Sequence, residues 1–225
     1  MAKSMTLLWC VGSPPCWRVM LALEEKNLQG YNQKLLSFEK GEHKSKEVMD
    51  LNPRGQVPTF KHGDIIVNES YGVCMYLESQ FKSQGTKLIP DGPAEQGLVF
   101  QRMFEGLSIY QRTGDVIWYE YYIPEAERMD ITIKRNMAAL ATEIKLWEGY
   151  LQKMEPGSYL AGKSLSMADV VVFPTIAFLF RSGLSAERYP RLGQYYELMK
   201  DRPSAKATWP QDWVETPGEN TLKDL

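Results

Sequence analysis

The spacing of apolar residues changes once along the chain, and that change limits the folds open to it. Through residue 82, short apolar runs alternate with helical patterns. The stretch 83–93 (Ser-Gln-Gly-Thr-Lys-Leu-Ile-Pro-Asp-Gly-Pro) is rich in turn formers, and beyond it only helical patterns continue. A length of 225 residues permits one large domain or two small ones. The change of spacing selects two: an α/β domain over residues 1–85 and an all-helical domain over 94–225, with a linker at 86–93.

In the first part, residues 5–10 read as a buried strand, broken by Gly12-Ser13-Pro14-Pro15. Val19, Met20, Ala22 and Leu23 then give helical spacing over 16–26. Proline suits the opening of that helix, where its missing N–H is not needed. Residues 31–37 read as a second strand, 57–61 and 64–68 as a hairpin turning at His62-Gly63, and 69–82 as a helix. A polar connection with a short helix fills 39–46 and beyond. The order β-α-β-α-β-β-α requires a crossover and so a parallel pair, to which the hairpin adds an antiparallel edge. Helices are expected over 94–122, 127–154, 167–180 and 188–200, and a polar, mobile tail over 216–225.

Composition removes several functions. With 44% hydrophobic and 12% aromatic residues, the chain is not a disordered one. A formal net charge of −2 does not suit a nucleic-acid binder. No apolar run approaches the ~20 residues that span a bilayer, and the first apolar stretch is too short for a secretory signal. A cytoplasmic protein with no membrane or nucleic-acid partner is expected. The three cysteines, Cys10, Cys16 and Cys74, cannot all pair in disulfides. His43 and His62 are the two histidines, neither at metal-ligand spacing from a cysteine, so no metal is expected.

Four short motifs carry the chemistry. Ser13-Pro14-Pro15-Cys16-Trp17-Arg18 joins strand one to helix one, at the strand edge where open α/β sheets bind ligands. Ser13 is either a helix cap or a hydroxyl aimed at a ligand, and the helix end beside it favours an anion. Asn52-Pro53-Arg54-Gly55-Gln56-Val57-Pro58-Thr59 places a proline at a strand opening. A cis bond before Pro58 would free the Val57 N–H and C=O for an extended peptide, although trans is the commoner form. Asn68-Glu69-Ser70 opens a helix, as a cap or as a nest for a carboxylate with Glu69 holding an ammonium. Gly41-Glu42-His43-Lys44 is a solvated loop unless the anionic end of a ligand falls beside it.

Taken in order, these motifs resemble those of the cytosolic glutathione transferases, as does Ser166-Met167-Ala168-Asp169, a capping-box pattern in the second part. The resemblance covers nearly the whole chain, and its N-terminal third is closest to the rho class known from fish. It implies a thioredoxin-like α/β domain followed by an all-α domain, a homodimer, and glutathione as co-substrate without a metal. It implies an enzyme that activates the glutathione thiol and joins it to hydrophobic electrophiles in detoxification. Matched residue by residue, Ser13 is the catalytic serine of the theta-, delta- and zeta-like classes. His43 reaches the glycyl carboxylate, and the backbone of Val57, before a cis-Pro58, pairs with the cysteinyl unit. Gln56, Glu69 and Ser70 hold the γ-glutamyl end. Gly55 departs from the pattern, standing where delta members carry histidine and zeta members lysine. The electrophile pocket is expected from Phe104, Ser108, Gln111, Trp118, Tyr119 and Tyr122, with Trp209 and Trp213. Each of these aromatics alone could equally be core packing, but the run 118–122 has too many to bury on one helix face.

Three alternatives stay open, the first a zeta-like isomerase, which would carry Ser-Ser-Cys-Ser where this chain has Ser13-Pro14-Pro15-Cys16. A glutathione-dependent thiol transferase or peroxidase of the same fold would want cysteine at position 13. A non-enzymatic ligand-binding member would be expected to have lost Ser13 or the Glu69-Ser70 pair, and both are present.

Overall fold

The computed structural model describes residues 2–225. The chain folds into two compact units, Met1–Ile89 with Asp201–Pro217, and Pro90–Lys200 with Gly218–Leu225. The linear division expected at the linker is thus joined by a second crossing, in which residues 201–217 return to the first unit.

The first unit holds strands β1 (Met5–Trp9), β2 (Asn32–Leu35), β3 (Thr59–His62) and β4 (Ile65–Val67), with helices α1 (Pro14–Glu25), α2 (Lys46–Leu51) and α3 (Ser70–Gln80). The sheet order is β2-β1-β3-β4. β1 runs parallel to β2 (Trp9 opposite Leu35) and antiparallel to β3 (Leu8 opposite Thr59), and β3 runs antiparallel to β4 (Phe60 opposite Val67). Side chains alternate along β1. Leu8 and Cys10 meet Leu36 and Val48, with Leu51 and Val57 packed beside them. Met5 and Leu7, out of phase with these, are fully buried, as are Val19 and Leu23 of α1 and Val73 and Leu77 of α3. β2 lies at the sheet edge with all four residues exposed. The third strand opens at Thr59 rather than at residue 57, because Pro58 has no N–H to give to the ladder.

In the second unit run α4 (Pro93–Ile117), α5 (Tyr119–Tyr122), α6 (Asp130–Gln152), α7 (Met167–Arg181) and α8 (Pro190–Lys200). α7 is the buried element, with every residue from Met167 through Ala177 inside. It begins with a full capping box: Asp169 accepts the Ser166 N–H, the Ser166 hydroxyl, the Leu160 N–H and the Tyr195 hydroxyl, while the Ser166 oxygen serves the N3 amide. Burial pushes the Asp169 carboxyl up to about 6 against those four donors. The single helix expected over 94–122 breaks at Trp118, whose ring lies over Gly114, where a Cβ would come within 2.8 Å of it. The tail is docked rather than mobile. Leu222 is fully buried, and its N–H donates to the Ser182 carbonyl at 2.8 Å.

The returning segment carries α9 (Pro203–Ala207) and α10 (Gln211–Glu215). Glu25, at the end of α1, holds it. The Arg202 guanidinium reaches both Glu25 oxygens at 2.6 and 2.8 Å, and the Ser204 and Thr86 hydroxyls donate at 2.5 and 2.6 Å. Burial opposes the Glu25 charge, but these donors outweigh it and hold the carboxyl below its ordinary value. Beside it, buried Lys26 pairs with Glu78 at 2.8 Å, and Glu78 also accepts the amides of Leu88 and Ile89 at 3.2 Å. The chain is thereby tied to the first unit as far as residue 89.

Truncating Arg202 to alanine should cost about 1–3 kcal/mol in urea unfolding, below the ~3–5 of a fully buried pair because Arg202 remains 23% exposed. The depressed Glu25 carboxyl stabilises the fold above its unfolded-state pKa, and that stability is lost as pH falls through the folded value. Unfolding followed from pH 7 to pH 3 should therefore show a smaller acid-side loss in Arg202→Ala than in the parent.

Candidate functional site

The strand directions bring the predicted residues to one end of the sheet. β1 leaves that end toward Ser13, and β2, parallel to it, leaves toward the loop that carries His43. β3 enters there from Val57-Pro58, and β4, antiparallel to β3, leaves there into Glu69-Ser70. Four connections that are far apart in sequence thus share one sheet edge.

Ser13 has extended backbone and caps α1, its oxygen accepting the Cys16 N–H at 3.4 Å. The two readings of Ser13 are therefore compatible. A hydroxyl that accepts with its oxygen still has a proton to donate. Cys16 is buried, and burial pushes its thiol up to about 11 despite hydrogen bonds from Ser13 and the Cys10 backbone. Burial likewise pushes Cys10 and Cys74 up to about 12. All three are free thiols that stay protonated near neutral pH.

The Val57–Pro58 bond is cis. The loop before it is organised by Asn52, which is buried. Its amide donates to the Gln56 carbonyl at 2.8 Å and its oxygen accepts the Arg54 N–H at 3.1 Å. The Thr59 hydroxyl donates to the same Gln56 carbonyl at 3.1 Å. That carbonyl is satisfied inside the protein, whereas among the described residues the Val57 N–H and C=O have no partner. Gln56 itself is exposed.

Glu69 stands exposed at the N-cap of α3 without capping through its side chain, and Ser70 is buried behind it. The Ser70 oxygen accepts Arg18 Nη1 at 3.2 Å. Arg18 is itself buried, lies 5.0 Å from the Tyr71 ring centre, and its carbonyl accepts the Cys74 thiol. Sequence reasoning quoted Arg18 and Asn52 within motifs but gave neither a role. The available signal for Arg18 was a cation among apolar residues at helical spacing, which demands a buried partner.

His43 is half-buried with its ring edge to Phe38, 5.1 Å between centres. Burial and neighbouring Lys44 hold its pKa below 6.5, so the ring is neutral at pH 7. Its Nδ1 is buried without a partner. Gly55 adopts a left-handed backbone. Its φ is +57°, and a Cβ there would meet Met49 Sδ at 2.7 Å and Lys44 Cδ at 2.8 Å.

The returning segment reaches the same loop. Trp17 Nε1 donates to the Thr208 hydroxyl at 2.8 Å, and the Trp17 ring meets Trp209 and Trp213 edge-on at 5.1 and 5.4 Å. A Cβ on Gly12 would fall 2.6 Å from Asp212 Oδ2 and 3.4 Å from Trp213 Nε1. The remaining residues expected in an electrophile pocket lie in the second unit. Phe104, Ser108, Gln111 and Tyr122 are exposed, Trp118 packs on Tyr110 and Phe178, and the Tyr119 hydroxyl accepts the Met129 N–H. Among the described residues, no group of three or more histidine, cysteine or acidic side chains is arranged to hold a metal ion, and no helix is long and apolar enough to cross a membrane.

Known proteins show the family. Residues 12–80 match the family model of the glutathione S-transferase N-terminal domain, and residues 114–207 that of the C-terminal domain. The chain is 66% identical to Glutathione S-transferase A of Pleuronectes platessa, with 100% of both chains covered. A crystal structure of a glutathione S-transferase from the Antarctic clam Laternula elliptica superposes with a TM-score of 0.87 at 38% identity, covering 98% of this chain and 99% of that one. A delta-class glutathione transferase of Nilaparvata lugens gives 0.80 at 25%, covering 94% and 95%. The chain belongs to the glutathione S-transferase family and is an enzyme of it. Its first unit is the thioredoxin-like fold with a four-stranded mixed sheet, and its second is all-helical.

Placing histidine at position 55 should not restore a lost contact. A left-handed residue other than glycine costs roughly 1–2 kcal/mol, so Gly55→His is expected to lower stability by about that much. Calorimetric titration should show no gain in glutathione affinity.

Proposed function

We propose that the chain conjugates glutathione to hydrophobic electrophiles, with Ser13 as the catalytic residue. The observation that carries this reading is the geometry of Ser13. Its oxygen accepts the Cys16 amide, and its hydroxyl proton, which faces a buried Cys16 thiol that stays protonated without it, can turn to a sulfur at the N-terminal end of α1. Glutathione would lie extended along the sheet edge. The unpartnered Val57 N–H and C=O pair with its cysteinyl unit, and His43 meets the glycyl carboxylate. Gln56, Glu69 and Ser70 hold the γ-glutamyl end, with Arg18 fixing the Ser70 hydroxyl.

The energies suffice. A thiol of pKa ~8.5 is only ~3% thiolate at pH 7, and lowering it by ~2 units takes ~2.7 kcal/mol of selective thiolate stabilisation. A hydrogen bond to a charged acceptor gives ~1.5–3 kcal/mol, and the helix end adds ~0.3–1. The thiol proton leaves to water. The thiolate sulfur then attacks an electrophilic carbon; with a chloronitrobenzene, a C–S bond forms, the C–Cl bond breaks and chloride departs. Ser13 polarises and is not itself a nucleophile. The alternative thiol-transferase chemistry is disfavoured because the three cysteines are buried with raised pKa values and position 13 is serine. For the electrophile pocket we retain Trp209 and Trp213, which lie against the Ser13 loop within the first unit. A rho-class, cytoplasmic homodimer acting in detoxification completes the proposal.

Ser13→Ala should lower turnover of a chloronitrobenzene roughly 10- to 30-fold while the glutathione dissociation constant changes little, because about 25-fold is what deprotonation can give. Ultraviolet titration of bound glutathione should move its thiol back toward ~8.5. Wild-type turnover in that variant would overturn the assignment. The same change removes a cap and should cost about 0.5–2 kcal/mol of stability. Because His43 is neutral at pH 7, affinity for S-methylglutathione, which has no thiol to titrate, should be flat from pH 7 to 8 and rise only below about 6.5, as the ring gains charge opposite the carboxylate. That rise should vanish in His43→Ala.

A further inference from the structure

A cavity of about 250 Å3 lies along α1, wholly within the first unit. Both local periodicities aim at it. Cys16, Met20 and Glu24 stand at i, i+4 and i+8 on one helix face, and Tyr31 and Gln33 alternate on the edge strand side. Residues 207–211 of the returning segment complete the wall. None of His43, Gln56, Val57, Pro58, Glu69 or Ser70 lines it; it shares the loop at Gly12-Ser13 with the proposed glutathione site and Trp209 with the proposed electrophile pocket.

Its lining is chemically one-sided. Partly exposed Trp9, Trp209 and Tyr31 contribute aromatic surface, with Trp17 buried behind Trp209. Glu24 is the charged side chain among the described lining residues, and no lysine, arginine or histidine is among them. Gln29 donates to a Glu24 oxygen at 2.9 Å, which steadies the carboxylate. Burial and then the Glu24 charge raise the Tyr31 phenol to about 12, so it stays neutral, as do the Cys10 and Cys16 thiols. Aromatic faces attract cations through their quadrupoles, most strongly on tryptophan, and a carboxylate at the same cavity adds to that attraction. Away from the helix end at Ser13, an anion would meet the Glu24 carboxylate and no cationic side chain among the described lining residues.

We propose that this cavity is a second ligand site, separate from the glutathione site, and that it takes an organic cation bearing a quaternary or tertiary ammonium group on a small apolar body. The volume sits just below the ~300–1,000 Å3 of drug-sized pockets, which suits a ligand of choline size or slightly larger. A hydrophilic metal ion would find one carboxylate and no further anionic ligand.

The test uses the six tryptophan indole N–H signals of the 15N-labelled full chain, assigned by single Trp→Phe changes. Choline should shift the Trp9, Trp17 and Trp209 signals saturably, with a dissociation constant below about 1 mM. Trp118 and Trp147, in the second unit, should stay still. The uncharged isostere 3,3-dimethylbutan-1-ol should bind at least tenfold more weakly. Glu24→Gln should weaken choline about tenfold, and Gln33→Arg, on the exposed edge strand, should abolish its binding. Both variants should keep glutathione binding and a dispersed indole spectrum, which shows that they fold. Equal binding of the alcohol, absence of a saturable shift, or choline binding unchanged in both variants would overturn the proposal.

Discussion

Strand β1 carries hydrogen-bonded neighbours on both sides, and the rest of the first unit follows from that. Its parallel pairing with β2 and antiparallel pairing with β3 set the direction of every connection. The loops with Ser13, His43 and Glu69-Ser70 leave from one sheet end, and Val57-Pro58 arrives there. The register is guarded by burial on both faces of β1. A slip by one residue would exchange the Leu8–Cys10 side with the Met5–Leu7 side and misplace every buried group at once. A site assembled from four loops needs this kind of constraint, because none of those loops is long enough to find the others unaided.

Helix α1 serves as the beam on which that site is hung, and its polar residues act at separate points along it. Ser13 caps its start, Arg18 fixes Ser70 from its middle, and Glu25 at its end holds Arg202, Ser204 and Thr86. Trp17 adds a tie to Thr208. The segment that places Trp209 and Trp213 against the Ser13 loop is therefore anchored to the same helix that presents the serine. A buried carboxylate is costly unless its oxygens are filled, and Glu25 has four donors for two oxygens. That saturation fixes the near end of a stretch whose apolar contacts are Trp209 and Trp213 on Trp17 and fully buried Ala205.

Much of this was legible in the sequence for local reasons. Pro14 and Pro15 after Ser13 mark a helix opening, the spacing of Val19, Met20, Ala22 and Leu23 marks its buried face, and the hairpin expected at His62-Gly63 is present with its turn one residue later, at Gly63-Asp64. Ser166 and Asp169 mark a capping box three residues apart, and the structure contains it in full. What stayed hidden depended on distant partners. Arg18 looks like an anomaly in an apolar helix until Ser70, 52 residues away, supplies its acceptor. Asn52 is a turn former by sequence but a loop organiser once Gln56 folds back on it. The break at Trp118 needs Gly114 beneath its ring, and the docking of the tail needs a pocket for Leu222 that no local pattern announces.

The sequence by itself determined the change from mixed to helical structure, the order of the elements, the residue types of the glutathione motifs and, through those motifs, the family. These are encoded by spacing and by short-range chemistry, which a linear text preserves. Tertiary structure alone decided that residues 201–217 rejoin the first unit, that Ser13 caps and remains able to donate, and that Gly55 takes a left-handed backbone that any other residue would strain. It also decided that three tryptophans and one carboxylate share a cavity along α1. Each of these is set by a contact between groups far apart in the chain, and such contacts exist only after the backbone has closed on itself.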